Sequence, residues 1–124
     1  MKPEDNISKN LDKFDWVAHY PLAVDVCDKD GILIAMNRAA EENFQNRGGR
    51  KLLGTSLFDC HPPSANAIIR RLLAEHTENI YYVVKGGRRK LVHQVPWFDE
   101  GGEFGGLVET IIPLPEDIPV IDRG

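Results

Sequence analysis

The apolar positions of this chain change period several times, and each change marks an element. Ile7, Leu11, Phe14 and Ala18 recur at the spacing of one helix face, with Asp5 or Asn6 available as the N-cap and Pro21 as the stop. Leu22, Val24 and Val26 then alternate, residues 28–31 supply turn chemistry, and residues 32–36 are rich in β-forming side chains, so this stretch predicts a hairpin. Asn37 suits the cap of a short helix over residues 38–44 that Gly48-Gly49 ends, and residues 52–58 read as a compact connection with a turn or two of helix. Ala65, Ile68, Ile69, Leu72 and Leu73 return to a spacing of three and four, while Arg70, Arg71 and Glu75 fall on the opposite side. Pro62 and Pro63 lack backbone N–H groups and suit a first turn, so this longest helix starts near Pro62 and runs to about His76. Three strands are predicted after it, at residues 80–84, 90–98 and 104–112, jointed at Gly86-Gly87 and Gly101-Gly102.

Two hairpin blocks separated by helices predict an α+β fold: a five-stranded antiparallel sheet with helices on one face, plus an N-terminal helix. The chain divides into that helix at residues 1–21, a domain at 22–114, and an extended tail at 115–124 whose prolines break any periodicity. At 124 residues, 42% hydrophobic and 27% charged, it can bury a core without staples. A net charge of −4 speaks against a nucleic-acid surface. The two basic runs, at residues 47–51 and 85–90, are Gly-Gly loops where polar residues are expected. Two cysteines in apolar sequence, no apolar run of membrane length and no apolar leader lead to the expectation of a cytoplasmic protein with no membrane partner.

The order of elements and several short motifs together resemble the PAS domain family. The motifs are Asp30-Gly31 in the first turn, Asn37 with Ala39-Ala40-Glu41, the run Leu53-Gly54-Thr55-Ser56-Leu57-Phe58, and Gly105-Gly106-Leu107 at the last strand. Cys60-His61-Pro62-Pro63 looks like a run seen in a prokaryotic subgroup. The resemblance covers residues 22–114 and implies a sensory module with a small-molecule or cofactor pocket beneath the long helix, relaying occupancy to a partner. It also departs from the family: where the last strand usually runs into Asp-Ile-Thr and a further domain, this chain reads Ile112-Pro113-Leu114.

Side-chain spacing nominates the residues of that pocket. In the strand 90–98, Leu91, His93, Val95 and Trp97 share one face and are taken as the inward set, opposite Ile68, Ile69 and Leu72 of the helix. His61, four residues before Ala65 and stiffened by two prolines, is a candidate axial ligand to haem iron or a hydrogen-bonding anchor, with haem as the leading cofactor. Alternatively it is a helix-start histidine tied to a backbone carbonyl or to Asp59, and His93 is a buried histidine with a cross-strand partner. Cys60-His61 lacks the further ligands a structural zinc needs. Glu109, inside an apolar strand, lies on the solvent face of the sheet or acts as a specificity group in the pocket. No glycine-rich elbow surrounds Ser56 or Ser64, and no P-loop or dinucleotide fingerprint follows a strand, so catalysis is not expected. The stripe Ile7, Leu11 and Phe14 is expected either to pair two copies of the chain in a homodimer or to cap the outer face of the sheet, and a separate effector protein is expected as well. The competing expectation is a constitutive dimerisation module whose own side chains fill the pocket.

Overall fold

The computed structural model describes residues 15–124. Most of the expected N-terminal helix lies outside the described residues. Its end is α1 (Trp16–His19), where the Asp15 side chain accepts a hydrogen bond from the Ala18 N–H at 3.1 Å. The first hairpin follows as β1 (Ala23–Asp28) and β2 (Leu33–Met36). Its turn closes because Asp28 Oδ1 accepts from the N–H groups of Asp30 and Ile32 at 2.9 and 3.0 Å.

Asn37 then does two jobs. Its Oδ1 accepts from Ala40 N–H, which caps α2 (Arg38–Asn43), and from Val24 N–H; its Nδ2 donates to the Leu22 carbonyl at 2.8 Å. Helix α2 is thereby strapped to β1 by a side chain whose every polar atom is satisfied. Three short 3-10 turns lead to α3 (Pro63–Glu75), which His76 ends in the left-handed conformation at φ 56° while donating its N–H to the Leu72 carbonyl. The meander is β3 (Asn79–Lys85), β4 (Arg88–Phe98) and β5 (Phe104–Pro113), each strand starting or ending within a residue or two of its expected place.

The sheet order is β2-β1-β5-β4-β3, antiparallel throughout. Strand β5 joins the two blocks by pairing with β1 from Ala23↔Ile111 to Asp28↔Gly106. The pairing needs glycine: Gly106 has φ 147°, and a Cβ there would collide with the Cys27 carbonyl oxygen. Gly105 likewise leaves room for the Trp97 ring, whose Nε1–H donates to that same carbonyl at 3.0 Å.

Helices α2 and α3 and the 3-10 turn carrying Leu57 lie on one face of the sheet. One apolar cluster joins Ala23, Val92 and Ile111 to Ala40 of α2, with Met36 and Phe44 against it; the other joins Cys27 and Leu107 to Leu72 of α3, with Leu57 and Leu73. The buried set on β1 is therefore Ala23, Asp25 and Cys27, between the more exposed Val24 and Val26. On β4 it is Val92 that meets α2, so alternation turns Leu91, His93, Val95 and Trp97 to the other side of the sheet, and the expectation that they face inward is corrected. Apolar residues occupy both faces of β4, so its own pattern does not choose between them; the Asn37 strap, which holds α2 over Ala23 and Val92, does.

Candidate functional site

Between the two apolar clusters runs a polar row. The registers Asp25↔Glu109, Glu109↔Gln94 and Gln94↔Asn79 place one side chain from each of β1, β5, β4 and β3 in a line across the helix-covered face. Asn79 Nδ2 donates to Gln94 Oε1 at 3.1 Å, and Gln94 Nε2 donates to Glu109 Oε2 at 2.8 Å. Asp25 ends the row. It is 7% exposed, and its Oδ2 is buried without a hydrogen-bond partner.

The electrostatics follow from that placement. Burial first, then the charge of Glu109 and a hydrogen bond with it, raise the Asp25 pKa to about 9. At neutral pH the facing carboxyl groups of Asp25 and Glu109 therefore share a proton. Burial also lifts the Cys27 thiol to about 11, and raises Tyr81, which the charges of Glu109 and Asp25 raise further. Glu109 is thus on the helix-covered side, and the expectation of a solvent-face position gives way to the pocket-side alternative.

Helix α3 forms the facing wall. Leu72 packs on Cys27 and Leu107, the rung beside Asp25 and Glu109, with Ile69 buried one turn earlier. Ile68 lies about 40° round the helix from Leu72 and so overlooks the sheet as well. It is 41% exposed, as is Tyr81 on the helix-covered side of β3, so the ground between α3 and β3 is left uncovered. Asn66 Nδ2 donates to the Phe58 carbonyl at 3.0 Å, and its Oδ1 is a second buried acceptor with no donor.

Of the side chains expected to wall a cofactor, Ile68, Ile69 and Leu72 therefore converge, and Leu91, His93, Val95 and Trp97 lie on the far face. His93 Nε2 meets Glu78 Oε2 at 3.1 Å near the surface. His61 precedes the helix, so it does not follow the phase of the buried stripe; its Nδ1–H donates to the Leu57 carbonyl at 2.6 Å. That is the backbone tie of the structural alternative. The residues named for a porphyrin are thus divided between the two faces of the sheet and the start of the helix, and the polar row crosses the helix-covered face. Among the described residues no group of three or more His, Cys, Asp or Glu side chains is arranged to hold a metal ion.

The PAS fold family matches residues 17–116. This chain belongs to that family. Among solved structures, the PAS domain resembles the PAS domain of Bordetella pertussis BvgS at 20% identity and TM-score 0.61, covering 90% of this chain and 88% of that one. It is similar to the Aer2 receptor of Vibrio cholerae, described as a dual PAS-haem oxygen sensor, at 17% identity and TM-score 0.59, over 76% and 95% of the two chains. It is also similar to VqmA bound to DPO, at 16% identity and TM-score 0.65, over 86% of this chain and 58% of that one. No curated protein matches the chain.

Two other features of this PAS domain have local explanations. A cleft of about 770 Å³ opens where the β1–β2 and β4–β5 turns meet the end of α3, with His76 stacked on Phe104 at 3.8 Å and Asp28, Asp30, Asp99 and Glu103 around it. The carboxylates Asp28 and Asp99 there accept backbone N–H groups of their own turns. In the basic loops, Arg50 Nη1 pairs with Glu41 Oε1 at 2.7 Å, Arg89 lies over the Tyr82 ring, and Lys90 Nζ donates to Asn43. Those charges serve the fold's own surface.

The chemistry-bearing residue that sequence reasoning missed is Asp25. The signal was available: an aspartate flanked by Val24 and Val26 in a strand is as unusual as Glu109 in its own.

Proposed function

We propose that this PAS domain is a sensory module that takes a small molecule between the sheet and α3 and passes the occupancy to a partner chain. The observation that carries the proposal is the buried carboxyl oxygen of Asp25, which faces the helix side of the sheet without a donor. A buried polar atom left unpaired costs about 1–3 kcal/mol, a cost that a ligand able to donate would remove. The uncovered ground between α3 and β3 gives such a ligand its way in, and two structures of similar fold, the Aer2 receptor and VqmA, are described as a haem oxygen sensor and as bound to DPO.

The sensing unit is taken as residues 22–114, with self-association through residues 1–21 and a separate effector protein as the receiving partners. Both cysteines are free thiols, which accords with a reducing compartment such as the cytoplasm. No helix among the described residues is long and apolar enough to cross a membrane.

Haem, the second reading, rests on His61. With Nδ1–H held by a carbonyl, Nε2 has a lone pair free, the arrangement that suits a metal ligand. Native mass spectrometry and an absorption spectrum of freshly purified full chain separate the possibilities. A retained small molecule and no Soret band are expected. A Soret band lost in His61→Ala would turn the reading to haem. An empty chain that no metabolite extract stabilises against heat would leave a constitutive dimerisation module.

A further inference from the structure

The acceptor and donor inventory of the polar row narrows the class of ligand. Two carboxyl groups stand opposite one another on adjacent strands, which is unfavourable unless something positive lies between or beside them. Among the described residues, no lysine, arginine or histidine forms a salt bridge with either. Besides the proton the two carboxyl groups share, the protein supplies one side-chain donor, Gln94 Nε2, and it goes to Glu109. Asp25 Oδ2 receives none. What the site lacks is therefore donors and positive charge, on the sheet side, at the buried end of a row that is only partly buried at Asn79, Gln94 and Glu109.

We propose that the ligand of this PAS pocket is a small organic cation with at least two N–H donors, of the amidinium, guanidinium or primary ammonium class, bound by Asp25 and Glu109. This inference rests on the pocket reading above. The cation enters from the β3 side, passes Asn79 and Gln94, and sets one N–H on Asp25 Oδ2 and another on Glu109. It takes the place of the proton the pair shares, which leaves to solvent. Ile69 and Leu72 lie on the helix side, and the apolar rungs Cys27–Leu107 and Ala23–Ile111 lie on either side of the carboxyl pair along the sheet, so the body attached to the charged head would meet apolar side chains. A planar amidinium carries its positive charge on two nitrogens, each able to donate to a different carboxyl group, which neither an amide nor an anion of the same shape reproduces.

Benzamidine, benzamide and benzoate share one outline and differ in charge and donors, so they make the test. Each is titrated into the full chain at neutral pH by calorimetry, with backbone amide NMR to locate the contact. Benzamidine is expected to bind and to shift the amides of residues 25, 69, 72 and 109. Glu109→Gln and Asp25→Asn are each expected to weaken it at least tenfold with circular dichroism unchanged; if Asp25→Asn does not fold, Glu109→Gln decides. Asp99→Asn with Glu103→Gln, in the acidic cleft at the end of α3, is expected to change nothing. The proposal is overturned if benzamidine does not bind, if the cleft variant abolishes its binding, or if benzoate or benzamide shifts the same amides as strongly. The pocket reading is judged separately by native mass spectrometry: a retained molecule that is anionic or lacks N–H donors keeps the pocket and removes the cation.

Discussion

Asp25 works against the fold, and how strongly depends on pH. Its pKa rises from 3.8 to about 9 because it is buried and faces Glu109. Between those values the native chain holds a proton that the unfolded chain has released. The unfolded state then binds fewer protons, so stability falls as pH rises through this window; below the ordinary value both states are protonated and the effect vanishes. Asn in its place keeps the shape, has no proton to lose, and can still donate to Glu109. Asp25→Asn should therefore gain on the native chain between pH 5 and pH 8 by roughly 1 kcal/mol per pH unit. Urea unfolding of both proteins at the two pH values measures it, and an equal difference at both would show that Asp25 is not held protonated. At this scale the sequence was half legible. Glu109 drew notice as a carboxylate in an apolar strand, but its partner is 84 positions away, and only the β1–β5 register brings the two together. His61 lies before Pro63, where the helix begins, so helical phase does not reach it and says nothing of where its ring points.

Elements were more legible than the faces they present. Glycine pairs marked the hairpin joints, and Asn37 and the prolines at 62 and 63 marked helix starts, because these residues act on the backbone within a few positions. The inward face of β4 is a different kind of fact. Leu91, Val95 and Trp97 on one side and Val92 and Phe98 on the other leave the strand apolar on both sides, so the position of α2 decides. Val92 is 4% exposed and packs with Ala23, Ala40 and Ile111, and removing its two methyl groups should cost about 2 kcal/mol. Leu91→Ala removes more carbon from the uncovered side and should cost less than half of that. Denaturant midpoints of the two variants rank them, and the reverse order would put the helices on the other face of the sheet.

For the molecule as a whole, the sheet face away from the helices raises the question of what receives the signal. Ile80, Tyr82 and Val84 of the edge strand are 55%, 61% and 65% exposed, and Leu91, Val95 and Val108 continue the same face inward. Helices α2 and α3 lie on the opposite face, and in the proposed sensor an exposed apolar surface of this kind is where a partner would dock. Strand alternation ties it to the ligand side. On β1, Asp25 is followed by Val26, and on β5, Glu109 is preceded by Val108, with each pair on opposite faces of the same two strands. In the proposed sensor, a ligand that drew Asp25 and Glu109 together or apart would shift those strands, and with them the surface offered to a partner. It can do so only to the extent that it binds one arrangement better than the other. If a second copy of the chain pairs through this face rather than through residues 1–21, light scattering after size exclusion should show a dimer, and Tyr82→Glu, which sets a charge in the apolar row, should give a folded monomer. Occupancy and assembly should then be linked in both directions, so Tyr82→Glu should also change ligand affinity although residue 82 lies on the far side of the sheet from the pocket. A Tyr82→Glu dimer, or a monomer with unaltered ligand affinity, would separate the open face from the pocket.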